Sequence, residues 1–151
     1  GFEFSGANRA APSPVLSDAF ENGGIEAVIL CPSNPFVSIA PILAVPHIRE
    51  VIAADNLPVW VVSPIVGGSA IKGPTAKMMR ELAIEPSCLS VAEQYRNLAT
   101  GIVIDTVDAD TATQIDATGL QVMVTDTVMT TDDDKVRLAR EVLDRAGLFH
   151  V

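Results

Sequence analysis

Four short apolar runs constrain the fold of this 151-residue chain more than any other feature. They are rich in Val and Ile, are bounded by turn residues, and cover residues 27–30, 59–62, 102–104 and 120–124. Continuous apolar runs of this length are typical of strands that are buried on both faces of a parallel sheet. Helical patterns lie between the runs. The sequence therefore predicts an α/β domain with a mostly parallel sheet, flanked by helices and joined by right-handed crossovers.

The clearest helical pattern lies near the C-terminal end of the chain, where apolar residues recur every three or four positions. Thr131 is predicted to cap this helix, the acids at residues 132–134 suit its positive end, and Gly147 can close it. The predicted apolar face consists of Val136, Ala139, Val142, Leu143 and Ala146.

Proline and serine positions predict where other helices begin. Pro14, Pro46 and Pro74 each look like the first-turn proline of a helix, because a first-turn residue needs no N–H donor. Ser90 with Glu93 fits a capping box for a short helix that runs through residue 95.

Charge and composition exclude several classes of function. The chain carries 10 Lys and Arg against 19 Asp and Glu, a net charge of −9, so a nucleic-acid partner is not expected. No apolar stretch reaches the roughly 18 residues of a membrane span, and no leader pattern opens the sequence. Cys31 and Cys88 form neither a disulfide framework nor a metal-ligand spacing. We therefore expect a cytoplasmic protein without a membrane partner.

The loop after the first apolar run combines rigidity with short polar groups. Two prolines restrict its backbone, while serine and asparagine supply hydroxyl, amide and backbone N–H groups that can hold phosphate or hydroxyl oxygens. An ordinary strand-to-helix turn with capping side chains is the alternative. The candidate residues are Pro32, Ser33, Asn34, Pro35 and Ser38.

The loop after the second apolar run has the ingredients of a phosphate cradle. Adjacent glycines allow close approach of the backbone to a ligand, and Lys72 adds a positive charge before a predicted helix. The G-x-x-x-x-G-K-[ST] pattern of a Walker A loop is absent. A glycine pair before a helix is also common in turns that bind no ligand. The candidates here are Ser63, Gly67, Gly68, Lys72 and Gly73.

Acidic residues follow the third and fourth runs. Asp126 stands where a strand-end carboxylate can orient a hydroxyl, a base edge or a metal-bound water, although an Asx turn is the alternative. Asp105, Asp108 and Asp110 are predicted to be turn and helix-start acids, because no glycine or glutamate follows at EF-hand spacing.

Other side chains that often carry chemistry are predicted to be structural here. Trp60 lies inside an apolar run and is predicted to pack in the core, and Cys31 and Cys88 are predicted to be buried small residues. His47 and His150 accompany no recognisable nucleophile motif, because the G-x-S-x-G pattern is absent.

The same loops carry a family resemblance, in blocks spread over most of the chain. The blocks are ILCPSNP (residues 29–35), SIAPILAVP (38–46), VSPIVGG (62–68), KGP (72–74), AEQY (92–95) and VTDTVM (124–129). In order and spacing they resemble the C-terminal half of the 2-phospho-L-lactate transferases. Residues 1–151 are therefore expected to be the C-terminal part of a single Rossmann-like transferase domain. Gly1, which is not Met and resembles the middle of a strand, is expected to mark a truncation.

The resemblance implies an activity in the biosynthesis of coenzyme F-420. These enzymes move a phospholactyl group, or in some bacteria a phosphoenolpyruvyl or phosphoglyceryl group, from a guanylylated diphosphate donor to the deazaflavin alcohol Fo, and release GMP. A divalent cation, usually Mg²⁺, assists, and the enzymes are usually dimers. The resemblance places the metal ligands in the N-terminal half, so no metal ligand is assigned in this chain.

The resemblance also implies roles for individual residues. Those assigned to the donor's phosphates and nucleotide are Pro32, Ser33, Asn34, Pro35, Ser38, Ser63, Gly67, Gly68, Lys72 and Gly73. Asp126 and Thr127 are expected to line the neighbouring cleft. Ala40 and His47 stand where relatives are expected to have glycine, and Gln94 where they are expected to have His. The identity of the transferred three-carbon acid therefore stays open.

Two other interpretations stay open as well. The chain can belong to a non-enzymatic, nucleotide-sugar-binding regulator of the related gluconeogenesis-factor family, which shares the Rossmann-like plan. Alternatively, this piece is an inactive half-domain whose exposed sheet edge makes it self-associate.

Overall fold

The computed structural model describes residues 2–54 and 57–148. The helices are α1 (Pro14–Glu21), α2 (Ala40–Leu43), α3 (Ile48–Ala54), α4 (Thr75–Glu81), α5 (Cys88–Tyr95), α6 (Ala112–Asp116) and α7 (Asp132–Arg145), with 3-10 segments at Ala7–Arg9 and Thr106–Thr111 and a π-helix at Pro35–Ile39. The strands are β1 (Val28–Leu30), β2 (Val59–Val62), β3 (Ile65–Val66), β4 (Ser69–Ala70), β5 (Gly101–Asp105) and β6 (Gln121–Thr125). Gly1 and His150 lie outside the described residues, and residues 2–4 do not form the strand expected at the start of the chain.

The four predicted apolar runs are the four strands of a parallel sheet in the order β1-β2-β5-β6. Val28 pairs with Val59, Val62 with Val103, and Asp105 with Thr125. Strands β3 and β4 form a separate antiparallel hairpin. The predicted Rossmann-like α/β fold is confirmed, and the parallel register brings the ends of the four strands to one edge of the sheet.

Alternate residues of the central strands pack into two different cores. Val59 and Val61 of β2 join the larger core, which α3, α4, α5 and α6 help to cover. Trp60 and Val62 point to the opposite face, where α7 packs over them. The prediction that Trp60 is a core residue is confirmed, since only 1% of its surface is exposed.

Helix α7 has the predicted ends but a different apolar face. Thr131 and Asp134 form a capping box, and the positive φ of Gly147 follows the last turn. However, the buried residues of α7 are Leu138 and Val142, whereas the predicted Val136 and the following Ala139 are exposed. The prediction was wrong for these residues because α7 contacts the sheet along a narrow row of i, i+4 positions.

The proline predictions have mixed outcomes. Pro14 is the first residue of α1, and the hydroxyl of Ser13 accepts a hydrogen bond from the backbone of the first turn. Pro74 directly precedes α4 rather than opening it. Pro46 was wrongly predicted to open a helix, because a turn that includes His47, with a φ of 70°, separates it from α3.

The predicted capping box of Ser90 and Glu93 was also wrong. Helix α5 begins one turn earlier, and the hydroxyl of Ser87 accepts the hydrogen bond from the Ser90 N–H at 3.1 Å. The two serines lie three positions apart, and the earlier one occupies the cap. None of the helices in the described part of the chain combines the length and apolar character needed to cross a membrane.

Candidate functional site

A cavity of about 380 Å³ lies beyond the carboxyl ends of the strands. Ligands bind at this edge in open parallel sheets. Loops after β1, β2 and β6 and the start of α4 form its walls. Of the predicted site residues, the cavity brings together Pro32, Ser33, Asn34, Ser38, Ser63, Lys72, Gly73 and Thr127. The predicted residues that do not line it are Pro35, Gly67, Gly68 and Asp126.

Asn34 shapes the wall that follows β1. Its side-chain oxygen accepts hydrogen bonds from the backbone N–H groups of Phe36, at 2.9 Å, and Val37, at 3.2 Å. Its amide nitrogen donates to the sulfur of Met78 on α4 at 3.2 Å. Asn34 thus caps the π-helix Pro35–Ile39, a rare type of helix that is frequent at functional sites.

The hydroxyl groups of the serines in this loop are available to a ligand. Ser33 is half-buried and Ser38 is exposed, and neither hydroxyl has a hydrogen-bond partner within residues 2–54 and 57–148. Pro35 is buried and faces away from this cavity. The first loop therefore offers a ligand two serine hydroxyls, while Asn34 fixes their backbone.

The glycine pair of the second loop forms a hairpin turn outside the cavity. Gly67 and Gly68 connect β3 to β4 with φ angles of 55° and 73°. Positive φ at both central positions is typical of a tight type I′ hairpin turn and favours glycine. The Gly67 N–H donates to the carboxylate oxygens of Asp108 at 3.0 and 3.2 Å, so this amide already has an anionic partner.

Lys72 follows the hairpin and is exposed at the cavity wall. It forms no ion pair with any residue that the structure describes. Of the described residues that line the cavity, Lys72 alone has a charged side chain. The cavity therefore carries a local positive charge in a chain with a net charge of −9, and this favours an anionic ligand.

Asp126 and Thr127 are consecutive residues, but only Thr127 lines the cavity. The exposed carboxylate of Asp126 accepts a hydrogen bond from the Val128 N–H at 3.0 Å, an Asx turn, and lies 3.7 Å from the guanidinium of Arg137. Thr127 lines the cavity. Its N–H and hydroxyl donate to Asp105 at 2.8 and 3.0 Å, so Thr127 contributes to the cavity as a fixed wall.

Asp105 and Asp108 are confirmed as helix-start acids, since Asp105 caps the 3-10 segment Thr106–Thr111 and Asp108 lies in its first turn, and both also hold other loops. Asp105 is only 3% exposed and accepts hydrogen bonds from Thr106, Val107 and Thr127. Burial raises its pKa, but these hydrogen bonds outweigh that effect and hold the pKa below its ordinary value. Asp105, the last residue of β5, anchors the loop after β6, and Asp108, in the 3-10 segment that follows, anchors the β3–β4 hairpin.

Thr75, the first residue of α4, lines the cavity but was not predicted. It is 2% exposed, and its hydroxyl has no partner among the described residues. Among the described residues, every side-chain oxygen that is completely buried has a hydrogen-bond partner. The hydroxyl of Thr75 has none, so it is not completely buried and reaches the cavity. Its position directly after the KGP block was the available signal. Ser63, by contrast, uses its hydroxyl in a local turn with Ile65.

The two cysteines differ in burial, and neither belongs to a group of metal-ligating side chains among the described residues. Cys88 is buried as predicted, and burial raises the pKa of its thiol, whereas Cys31 is exposed and was wrongly predicted. Cys31 begins the loop after β1, where the chain leaves the core. In the described ranges, no three or more His, Cys, Asp or Glu side chains form a group that can hold a metal ion. The described residues therefore do not fit a Mg²⁺ site by themselves.

Comparisons with known proteins agree with this architecture. The family model described as 2-phospho-L-lactate transferase CofD matches residues 3–143. A phosphoenolpyruvate transferase of Streptomyces coelicolor is 40% identical over 93% of this chain and 44% of the relative. A 2-phospho-L-lactate transferase of Methanocaldococcus jannaschii is 39% identical over 91% of this chain and 42% of the relative. The chain thus spans less than half the length of these curated relatives.

Proposed function

The chain belongs to the 2-phospho-L-lactate transferase family, and on that premise we propose that it is part of an enzyme of coenzyme F-420 biosynthesis. The enzyme transfers a phospholactyl, phosphoenolpyruvyl or phosphoglyceryl group from a guanylylated diphosphate donor to the deazaflavin alcohol Fo and releases GMP. The names of the relatives support the first two groups as candidates.

One observation carries this proposal: the charge of the cavity at the carboxyl edge of the sheet. Lys72 supplies a positive charge, and Ser33, Ser38 and Thr75 supply hydroxyls without partners among the described residues. A cation surrounded by hydroxyl groups suits the oxygens of a diphosphate. We therefore place the donor's phosphates in this cavity.

The reaction needs positioning and charge neutralisation from these residues. The primary hydroxyl of Fo attacks the phosphorus that carries the three-carbon acid, a new P–O bond forms, and the P–O bond to GMP breaks. Lys72 offsets the negative charge on the phosphate oxygens, while Ser33 and Thr75 hold them by hydrogen bonds. The attacking hydroxyl gives its proton to a base other than the described lining residues, since these include no carboxylate or imidazole.

Three further features of the proposal do not depend on the geometry of the cavity. They are dependence on Mg²⁺, a homodimeric assembly and a cytoplasmic location. Mg²⁺ would neutralise charge on the transferred group. The described residues of this chain do not provide its ligands.

Calorimetric titration of the full-length protein tests the proposal. Separate titrations use GDP, Fo and a UDP-sugar, each with Mg²⁺. Binding of both GDP and Fo, with little binding of the UDP-sugar, is the expected result. Binding of the UDP-sugar without binding of Fo would overturn the transferase proposal in favour of a nucleotide-sugar-binding regulator.

A further inference from the structure

A second cavity, of about 210 Å³, shares the π-helix Pro35–Ile39 with the first one. Pro35 lines the second cavity, whereas Val37 and Ser38 line the first. The rest of the second cavity comes from α2, α3, α5 and the turn after α5. Leu43 and Leu98 give it apolar walls. The volume suits a molecule smaller than a typical drug-sized ligand.

Tyr95 is a buried lining residue of this second cavity, and its hydroxyl is available for a ligand. Tyr95 is only 5% exposed, and its hydroxyl has no hydrogen-bond partner in the part of the chain that the structure describes. Every completely buried side-chain oxygen in that part of the chain has a hydrogen-bond partner. The hydroxyl of Tyr95 has none, so it belongs to the small exposed surface of this residue. Burial raises the pKa of Tyr95 to about 12, so the group is a neutral donor at physiological pH.

Two polar side chains stand at the same cavity. Arg49 of α3 and Gln94 of α5 both line it and are both exposed. Arg49 forms no ion pair with the described residues. A guanidinium group is shaped to bind a carboxylate through two parallel hydrogen bonds. The cavity therefore joins an apolar floor, a buried donor and a cation.

We propose that this second cavity is a binding site for a small organic acid. The carboxylate pairs with Arg49 and accepts a hydrogen bond from Tyr95, while the apolar body packs against Pro35, Leu43 and Leu98. This inference goes beyond the proposed transferase function, because the donor's phosphates are assigned to the first cavity, which shares no lining residue with the second.

Titration with benzoate tests this site, with benzamide as the matched probe that lacks the charge. The isotope-labelled full-length protein is followed by NMR through its backbone amides. We expect benzoate to shift the signals of residues 35–49 and 94–98 saturably, and benzamide to shift them much less. Equal shifts with both probes, or no saturable shift with benzoate, would overturn the proposal.

Matched variants place the ligand within the cavity. Arg49→Gln is expected to weaken benzoate binding about tenfold, and Tyr95→Phe about threefold. Arg96→Gln removes an exposed arginine next to Tyr95 that does not line the cavity, and it is expected to leave the affinity unchanged. The NMR spectrum of each variant reports whether it is folded. Equal affinities for Arg49→Gln and Arg96→Gln would contradict the proposed carboxylate contact.

Discussion

The loops after β1 and β2 have similar ingredients but are held in different ways. In the first loop, Asn34 accepts hydrogen bonds from residues two and three positions further along the chain. In the second, the Gly67 N–H depends on Asp108, which is 41 positions away. The first loop presents serine hydroxyls to the cavity, while the second uses its glycines in a hairpin and presents Lys72.

This difference shows why a glycine pair near a lysine is ambiguous in a sequence. A backbone N–H can hold an anionic ligand only if no group of the protein already accepts its hydrogen bond. Gly67 donates to a carboxylate of its own chain. Asn34 is a local cap, whereas Asp105 and Asp108 are anchors that hold loops distant in sequence. We therefore predict that substitutions of the cap and of the anchors change stability and ligand binding by different amounts.

The largest effect is expected at Asp105, the most buried of the distant anchors. In Asp105→Asn, one carboxylate oxygen becomes an NH₂ group that faces N–H or O–H donors, so the variant is expected to lose about 3 kcal/mol of stability. Asp110→Asn, an exposed change in the same segment, is the control. Chemical denaturation followed by the fluorescence of Trp60, the single tryptophan, measures both. Equal stabilities would show that Asp105 is not an anchor.

A smaller loss is expected when the local cap of the first loop is removed. Asn34→Ala deletes the oxygen that accepts from Phe36 and Val37, and should cost about 1–2 kcal/mol. Asn34→Asp keeps an oxygen acceptor and is expected to keep most of the stability. The same denaturation experiment compares the two variants. If both lose the same stability, the cap does not hold the π-helix.

A still smaller loss of stability is expected at the half-buried anchor of the second loop, Asp108. Asp108→Ala frees the Gly67 N–H and should cost about 1 kcal/mol, while weakening GDP binding a few-fold through displacement of the hairpin that leads to Lys72. Asp108→Asn retains an acceptor and should restore binding, and Asp110→Ala should have no effect. Binding of GDP by calorimetry separates these cases. Unchanged affinity in Asp108→Ala would show that this anchor of the hairpin does not help to position Lys72.

The smallest effect concerns acid stability. The pKa of Asp105 in the folded protein lies below its ordinary value of 3.8, so the unfolded chain binds more protons in the interval between the two values. The contribution of Asp105 is therefore complete above its ordinary pKa and is lost as the pH falls through the lower, folded value. Denaturation at a series of acidic pH values should show a steeper decline in the wild type than in Asp105→Asn. Parallel declines would contradict the lowered pKa.

The sequence predicted the features that depend on local pattern. The four strands were predictable because Val and Ile runs such as Val59–Val62 are buried on both faces. The cap of α7 was predictable because Thr131 and Asp134 lie within one turn. The apolar face of α7 was predicted less well, since hydrophobicity alone does not show which of several apolar rows contacts the sheet.

The anchors of the cavity could not be predicted in the same way. Asp105 and Thr127 are 22 positions apart, and their contact exists only because β5 and β6 are neighbours in register. Nothing in the sequence near Gly67 indicates that Asp108 accepts its N–H. Spacing along the chain predicts caps and strands, but contacts between loops require the order of the strands.

The most direct test of the central claim compares two lysines. Lys72 lines the cavity, whereas Lys77 on α4 does not and forms an exposed ion pair with Glu81. GDP is titrated by calorimetry into the wild type and into Lys72→Ala and Lys77→Ala. The two variants each lose one positive charge. We predict about tenfold weaker binding in Lys72→Ala and wild-type affinity in Lys77→Ala. Equal affinities in the two variants would contradict the placement of the donor's phosphates in this cavity.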